Sequence, residues 1–196
     1  IVFFGSIIAA SRARKNFSKS FSAFGSINYP ELGHIYDNKV VKYIKDEKPS
    51  KPEFYDYLNP NVGLIKFTPG MRNDVLSYLI DQYDGLVIET FGVGGLPEYS
   101  DFYQQISRAL SLGKMVVMTT QVPNEGSNLS VYKVGSYLKN NFNILEAHDM
   151  TTESALCKLM WVLAQTSDFN EAEKPQERRM IRGASAVLSF LLISLC

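Results

Sequence analysis

A lysine beside two arginines is the first group along the chain whose residue types could catalyse a reaction. Lys15 ends the run Ser11-Arg12-Ala13-Arg14-Lys15, in a polar stretch that follows an apolar one. Crowding by like charges lowers the pKa of an amine, and a carboxylate partner would hold such an amine ready for proton transfer. The same run also fits a solvated basic loop, so the residue types leave both interpretations open.

Glycine-rich backbone follows a buried strand further along the chain. From Gly85 to Pro97 the sequence reads GLVIETFGVGGLP, an apolar strand that runs into Gly92, Gly94 and Gly95. Backbone amides in such a loop can bind a carboxylate or a phosphate near the start of the next helix. The spacing lacks the third glycine of a dinucleotide fingerprint. A tight turn with close packing of strand and helix explains the glycines equally well.

A second strand-to-loop junction repeats this arrangement between Val116 and Gly126. Its polar loop, Asn124-Glu125-Gly126-Ser127-Asn128, has the reach to contact a ligand or a neighbouring protomer, and an ordinary surface turn is the alternative. Open α/β sheets bind ligands beyond the carboxyl ends of their parallel strands. Two such junctions favour a binding site at this edge. His148 and Asp149, just before the last helix, are interpreted as a partly buried polar residue and a helix-start acceptor.

The composition narrows the classes of function. The chain has 196 residues, 45% of them hydrophobic and 20% charged, with a formal net charge of zero, so a basic face for nucleic acid is not expected. Two cysteines and two histidines show no metal-ligand spacing, so a metal site is not expected. The apolar run from Ala184 to Cys196 is too short to cross a membrane.

The elements that must position these residues follow from apolar periodicity. Strands are predicted at 62–67, 86–90, 114–120 and 144–147. Helices are predicted at 73–82, 102–112, 131–138 and 152–165, with Thr151 or Thr152 capping the last one and Glu153 in its first turn. Because strands alternate with helices, right-handed crossovers and a parallel sheet are expected. Before residue 45 the pattern predicts only short strands, and residues 11–30 are expected to be loop-like.

Charge and proline divide the chain. The segment 45–60 is charged and broken by prolines, which predicts a linker. Residues 1–44 are expected to be the remnant of an amino-terminal domain, 61–168 a carboxyl-terminal domain, and 169–196 an atypical tail. Ile1 opens an apolar strand pattern with no preceding cap or turn, so a truncation at the amino end is expected.

Several segments together resemble the bacterial cytosolic type I L-asparaginases. They follow the order found in that family and cover roughly residues 1–166. The matching segments are 11–15, 23–30, 89–97, 119–127, 131–135 and 149–161. The resemblance implies an α/β fold in which the end of a larger amino-terminal lobe precedes a smaller carboxyl-terminal domain, with a four-stranded parallel sheet flanked by helices.

The resemblance also implies a reaction. Members of the family hydrolyse L-asparagine to L-aspartate and ammonia without metal or cofactor, through a threonine nucleophile and a covalent acyl-enzyme. It implies a cytoplasmic homodimer or homotetramer, with each site completed by the second lobe of a partner protomer. No membrane or nucleic-acid partner is expected.

Only part of the family's site maps onto this chain. Lys15 matches the catalytic lysine, whereas both nucleophile segments are expected upstream of Ile1, so the chain alone is expected to be inactive. The substrate-binding loops map to Gly92, Gly94 and Gly95 and to Glu125. Many asparaginases carry asparagine where this chain has Gly95, and the regulatory cysteine of some allosteric members falls near Val122.

Two other functions are compatible with the sequence. The glutaminase component of an archaeal tRNA-dependent amidotransferase shares the asparaginase fold and is expected to carry an additional amino-terminal domain. A non-catalytic module is the other alternative, in which the loop from Gly92 to Gly95 simply holds a small amino acid.

Overall fold

A computed structural model describes residues 1–45, 55–97, 101–168 and Ala172 of the chain. Residues 46–54 of the predicted linker at 45–60 fall outside these ranges, and the predicted tail at 169–196 falls almost entirely outside them. The division into domains therefore stays a prediction.

The first 42 residues form short antiparallel strands. Their bounds are β1 (Val2–Phe3), β2 (Ser6–Ile7), β3 (Ala13–Lys15), β4 (Phe24–Ser26), β5 (Gly33–Tyr36) and β6 (Lys39–Lys42), with a 3-10 turn at Ala10–Arg12 before β3. One sheet has the order β1-β2-β5-β6, and β3 pairs with β4 as a separate ribbon. The expectation that residues 11–30 are loop-like is wrong for both strands of the ribbon.

The short strands of the ribbon explain why that prediction failed. Each strand has three residues, and Lys15 lies opposite Phe24 in the register. Neither strand shows the alternation of apolar and polar residues that marks a strand in sequence. They form because each supplies the backbone partners of the other.

The rest of the described chain forms the predicted parallel sheet. Its strands are β7 (Val62–Lys66), β8 (Gly85–Thr90), β9 (Met115–Thr120) and β10 (Leu145–Glu146), in the order β10-β9-β8-β7. All three pairings are parallel. The four-stranded parallel sheet flanked by helices is confirmed.

Four helices connect or follow these strands. They are α1 (Asn73–Gln82), α2 (Phe102–Ser111), α3 (Lys133–Asn141) and α4 (Thr152–Gln165). The predicted bounds of α1 and α4 are confirmed. The third helix begins two residues later than predicted and continues to Asn141. Thr151 is the cap of α4, since its side chain accepts a hydrogen bond from the Ser154 amide.

Side-chain alternation along the central strands builds two apolar cores. Leu86 and Ile88 face the core that contains α1, α2 and Leu138 of α3, whereas Val87 faces the core formed with α4. Successive side chains of a strand point to opposite faces, so one buried strand serves both cores. In the described ranges, no helix combines the length and the apolar character needed to cross a membrane.

Helix α3 packs so closely on the loop before it that Gly135 has no room for a side chain. A Cβ atom built there would lie 2.2 Å from the Leu129 carbonyl oxygen. Alanine is the better helix former by about 1 kcal/mol, yet Gly135→Ala is expected to lower the free energy of unfolding by about 1–3 kcal/mol through overpacking. Urea denaturation measures this change.

The matched control is Asn140→Ala, at an exposed position of the same helix. It is expected to leave stability unchanged or raise it slightly. An increase in stability for both variants would contradict the close packing of α3.

Candidate functional site

The carboxyl edge of the parallel sheet is held together by polar contacts. The Gln121 side chain donates through Nε2 to the carbonyl oxygens of Phe67 at 2.6 Å and of Glu89 at 3.1 Å. The Thr90 hydroxyl donates to the Thr119 carbonyl at 2.7 Å. These contacts join the ends of β7, β8 and β9, and the two predicted binding loops leave the sheet from β8 and β9.

The glycine loop after β8 closes on itself. The amides of Gly94 and Gly95 donate to the Phe91 carbonyl at 3.0 and 2.7 Å, and the Phe91 amide donates to the Gly95 carbonyl at 2.9 Å. These two amides are therefore hydrogen-bonded within the turn, and the binding of an anion by this loop stays a prediction. Gly92 is exposed with a φ of 51°, and its carbonyl accepts a hydrogen bond from the Thr120 hydroxyl.

Two of these glycines differ in the space around them. A Cβ at Gly94, where φ is 150°, would lie 3.0 Å from a methyl group of Leu129. A Cβ at Gly95 would meet only Phe91, at ordinary contact distances of 3.4 and 3.8 Å. The backbone would therefore accept a side chain at position 95, and steric exclusion does not explain why asparagine is missing there.

The polar loop after β9 carries Glu125 on its surface. Its backbone has a φ of 73°, and its amide donates to the Asn28 side-chain oxygen at 2.7 Å. Gly126 follows with the same φ, and a Cβ there would lie 2.5 Å from the His148 carbonyl oxygen. The Ser127 amide donates to that same oxygen at 2.7 Å. The loop is thus fixed from both sides.

Glu89, at the end of β8, belongs to the support of this edge. Its carboxylate accepts a hydrogen bond from the Thr152 hydroxyl at 2.6 Å, which ties the strand to the first residue of α4. In the sequence, Glu89 stands out only as a residue before the glycine loop, because its partner lies 63 residues along the chain.

An ion pair joins the ribbon to the carboxyl edge. The Arg12 guanidinium lies 2.6 Å from the Asp149 carboxylate, and the Arg12 side chain is only 6% exposed. The Asn28 side chain donates to the Asp149 carbonyl at 3.3 Å. The interpretation of Asp149 as a helix-start acceptor is wrong, because Thr151 caps the helix and Asp149 pairs with Arg12 instead.

Lys15 is exposed at the end of β3. Its Nζ lies 5.8 Å from the centre of the Phe24 ring, across the ribbon. Among the residues that the structure describes, no carboxylate pairs with it. Arg12 is directed to Asp149, so the arginines do not form the cluster around Lys15 that the sequence suggested.

A buried lysine escaped prediction from the sequence. Lys158 lies on α4 in the buried stripe with Ala155, Leu159 and Val162. Burial and, secondarily, the charge of Arg12 lower the pKa of Lys158 to about 7. A signal existed, since this lysine interrupts an apolar stripe at helical spacing.

His148 lies at the surface, where the sequence predicted partial burial. Its Nδ1 lies 3.7 Å from the carboxylate of Glu146, whose side chain is buried and also accepts hydrogen bonds from the Leu129 amide and Lys139. Within the described part of the chain, no group of three histidine, cysteine or acidic side chains is placed to hold a metal ion.

The sheet and its loops match a known family. The model of the glutaminase/asparaginase C-terminal domain matches residues 61–174, more than half of the chain. The chain belongs to the glutaminase/asparaginase family. The matched residues include the parallel sheet and both of its loops.

Curated relatives extend the likeness into the ribbon. An L-asparaginase of Thermococcus kodakarensis is 35% identical over 181 residues, which are 92% of this chain and 55% of the relative. A component of the glutamyl-tRNA(Gln) amidotransferase of Pyrococcus furiosus is 36% identical over 169 residues, 84% of this chain and 38% of the relative. The chain thus spans about half or less of these relatives' length.

Solved structures of the family are similar as well. The thermostable L-asparaginase of T. kodakarensis matches with a TM-score of 0.83 at 35% identity, over 91% of this chain and 54% of that one. L-asparaginase I of Vibrio cholerae matches with a TM-score of 0.78 at 30% identity, over 93% of this chain and 55% of that one. The likeness covers archaeal and bacterial members, so the bacterial type I subclass stays a prediction.

Lys158 yields a prediction about stability and pH. The pKa of Lys158 falls from an ordinary 10.5 to about 7 in the folded protein. Between pH 7 and pH 10.5 the unfolded chain therefore binds more protons than the folded chain does. Stability therefore rises with pH across this window, and the cost of the buried amine is complete below pH 7. Lys158→Met is expected to stabilise the protein by on the order of 3 kcal/mol at pH 7.

Urea unfolding of both proteins at pH 7, 8.5 and 10 tests this. The difference in free energy of unfolding is expected to shrink as the pH rises. Lys133→Met, at an exposed lysine of α3, is the control and is expected to show a small difference that does not vary with pH. A constant difference for Lys158→Met would contradict the burial of a titrating amine.

Proposed function

We propose that this chain is the carboxyl-terminal part of an amidohydrolase that converts L-asparagine to L-aspartate and ammonia. The observation that carries the proposal is the meeting of two distant segments. The ribbon that ends in Lys15 and the loop that carries Glu125 are joined through Asn28 and Asp149, at the carboxyl edge of a parallel sheet. Ligands of open α/β sheets bind at such an edge.

The proposed roles follow from the chemistry of amide hydrolysis. A threonine hydroxyl attacks the amide carbon, the carbon–nitrogen bond breaks, and the nitrogen leaves as ammonia after taking up a proton. Water then releases aspartate from the acyl-enzyme. Lys15 is proposed to serve the proton transfers, and the loops at Gly92–Gly95 and Glu125 to form one wall of the substrate pocket.

The attacking threonine is proposed to lie upstream of Ile1, outside this chain. The exposure of Lys15 supports this arrangement, because its amine is accessible to a further segment of polypeptide. On this proposal the 196-residue chain by itself has little or no turnover.

We further propose a homodimer or homotetramer in the cytoplasm, in line with the type I resemblance. The hairpin of β5 and β6 exposes large apolar side chains, since Tyr36 is 70% exposed and Val40 is 57% exposed. Exposed apolar patches of this kind mark interaction surfaces, which supports contact with another protomer at this hairpin.

A second candidate function is the glutaminase component of a tRNA-dependent amidotransferase. It is favoured by the relatives named as parts of a glutamyl-tRNA(Gln) amidotransferase, one of which is 36% identical to this chain where the L-asparaginase is 35% identical. Ammonia release from L-glutamine in preference to L-asparagine would support this candidate over the first.

The test is a substitution in the longer polypeptide that the proposal requires. Lys15→Met is expected to lower kcat for L-asparagine by about 10²–10⁴-fold, the usual scale for loss of a proton-transfer group, with little change in KM. Coupled detection of ammonia measures both constants. Lys19→Met, at an exposed lysine four residues along, is the matched control and is expected to leave kcat unchanged.

Two outcomes would contradict the proposal. Retained kcat in Lys15→Met would show that this exposed lysine has no part in the proton transfers. Normal ammonia release by the 196-residue chain alone would show that the nucleophile lies within it.

A further inference from the structure

Asn28 makes contacts that its place in the sequence does not suggest. It follows β4 in the left-handed region, with a φ of 56°. Its side-chain nitrogen donates to the Asp149 carbonyl at 3.3 Å, and its side-chain oxygen accepts from the Glu125 amide at 2.7 Å. One amide group therefore bonds two loops that lie 97 and 121 residues further along the chain.

The hydrogen bond from the Glu125 amide to Asn28 stabilises a turn in an unfavourable backbone conformation. Glu125 has a φ of 73°, a conformation that costs free energy in a residue with a side chain. The next two residues are held from the inner side, where Gly126 lies against the backbone of His148 and the Ser127 amide donates to that residue's carbonyl. On the outer side, the Asn28 oxygen fixes the amide of Glu125.

The residue before Asn28 is hydrogen-bonded to the turn that leads into β3, the strand that carries Lys15. The amide of Ile27 donates to the Arg12 carbonyl at 2.8 Å, so Asn28 lies beside Arg12 at the base of the ribbon. Lys15 lies three residues after Arg12, at the far end of β3, about 10 Å away at the rise of an extended chain. The ion pair of Arg12 with Asp149 holds this same end of the ribbon against the turn before α4.

We infer that Asn28 is a positioning residue that sets the Glu125 loop relative to the Lys15 strand. The inference rests on the proposed function for its catalytic meaning, whereas the clamp itself, defined as the two side-chain hydrogen bonds of Asn28, is a structural statement. The two bonds act on different segments, because the side-chain oxygen holds the Glu125 loop and the side-chain nitrogen holds the turn before α4.

A purely conformational role is the competing explanation. Asparagine tolerates left-handed backbone better than most residues, and the turn at Asn28 requires that conformation. Asn28→Gly separates the two roles, because glycine keeps the left-handed backbone and removes both hydrogen bonds.

The chain offers a matched control for this substitution. Asn38, in the turn between β5 and β6, has a φ of 58° and is exposed, away from the clamp. Asn38→Gly therefore makes the same chemical change in the same backbone conformation. Asn28→Asp is the conservative variant, since a carboxylate still accepts from the Glu125 amide but no longer donates to Asp149.

Amide hydrogen exchange of Glu125 in the 196-residue chain is the first measurement. Asn28→Gly is expected to speed exchange at Glu125 by about three- to tenfold, the usual contribution of one hydrogen bond. Asn28→Asp is expected to retain the protection, and Asn38→Gly to leave it unchanged. Unchanged protection in Asn28→Gly would overturn the clamp.

The catalytic meaning is tested in the longer polypeptide. Asn28→Gly is expected to lower kcat/KM for L-asparagine by about 10–100-fold through misplacement of the Glu125 loop, with partial rescue in Asn28→Asp and no change in Asn38→Gly. Faster exchange with unchanged kcat/KM would overturn the positioning role. An absence of amidase activity in the wild-type polypeptide would overturn the proposed function, and the exchange result would still decide the clamp.

Discussion

The ion pair between Arg12 and Asp149 is the contact on which the rest of the site depends. A guanidinium buried to this degree is expensive unless a carboxylate compensates its charge. The pair therefore fixes where the base of the ribbon meets the parallel sheet. Asn28 adds its two hydrogen bonds at the same place, and Lys158 adds a second buried cationic group whose lowered pKa reflects both its burial and its closeness to Arg12.

The edge to which the ribbon is bonded is itself held by several hydrogen bonds. Gln121 joins the strand ends, the glycine loop closes through its own amides, and Glu89 is bonded to the start of α4. These contacts use polar groups that a ligand would otherwise contact. The side chain of Glu125 and the amine of Lys15 stay exposed at this edge.

What could be predicted from the sequence depended on whether the signal was local. The helices α1 and α4 and the parallel sheet follow from apolar periodicity within short windows, and the structure confirms them. The β3–β4 ribbon and the roles of Asn28 and Asp149 depend on partners elsewhere in the chain, and no local pattern marks them. Lys158 could be predicted in part. Its place in an apolar stripe can be read from the sequence, but its closeness to Arg12 in the folded chain cannot.

The most direct test compares the two halves of the ion pair. Asp149→Asn removes the carboxylate that pairs with the buried Arg12, so it is expected to lower the free energy of unfolding by about 3 kcal/mol at pH 7. Arg12→Met leaves the Asp149 carboxylate partly exposed to water and removes the positive charge next to Lys158. The free energy of unfolding is therefore expected to fall by at least about 1 kcal/mol less than in Asp149→Asn. Urea unfolding measures both. Equal losses, or a larger loss for Arg12→Met, would contradict the central place given to this contact.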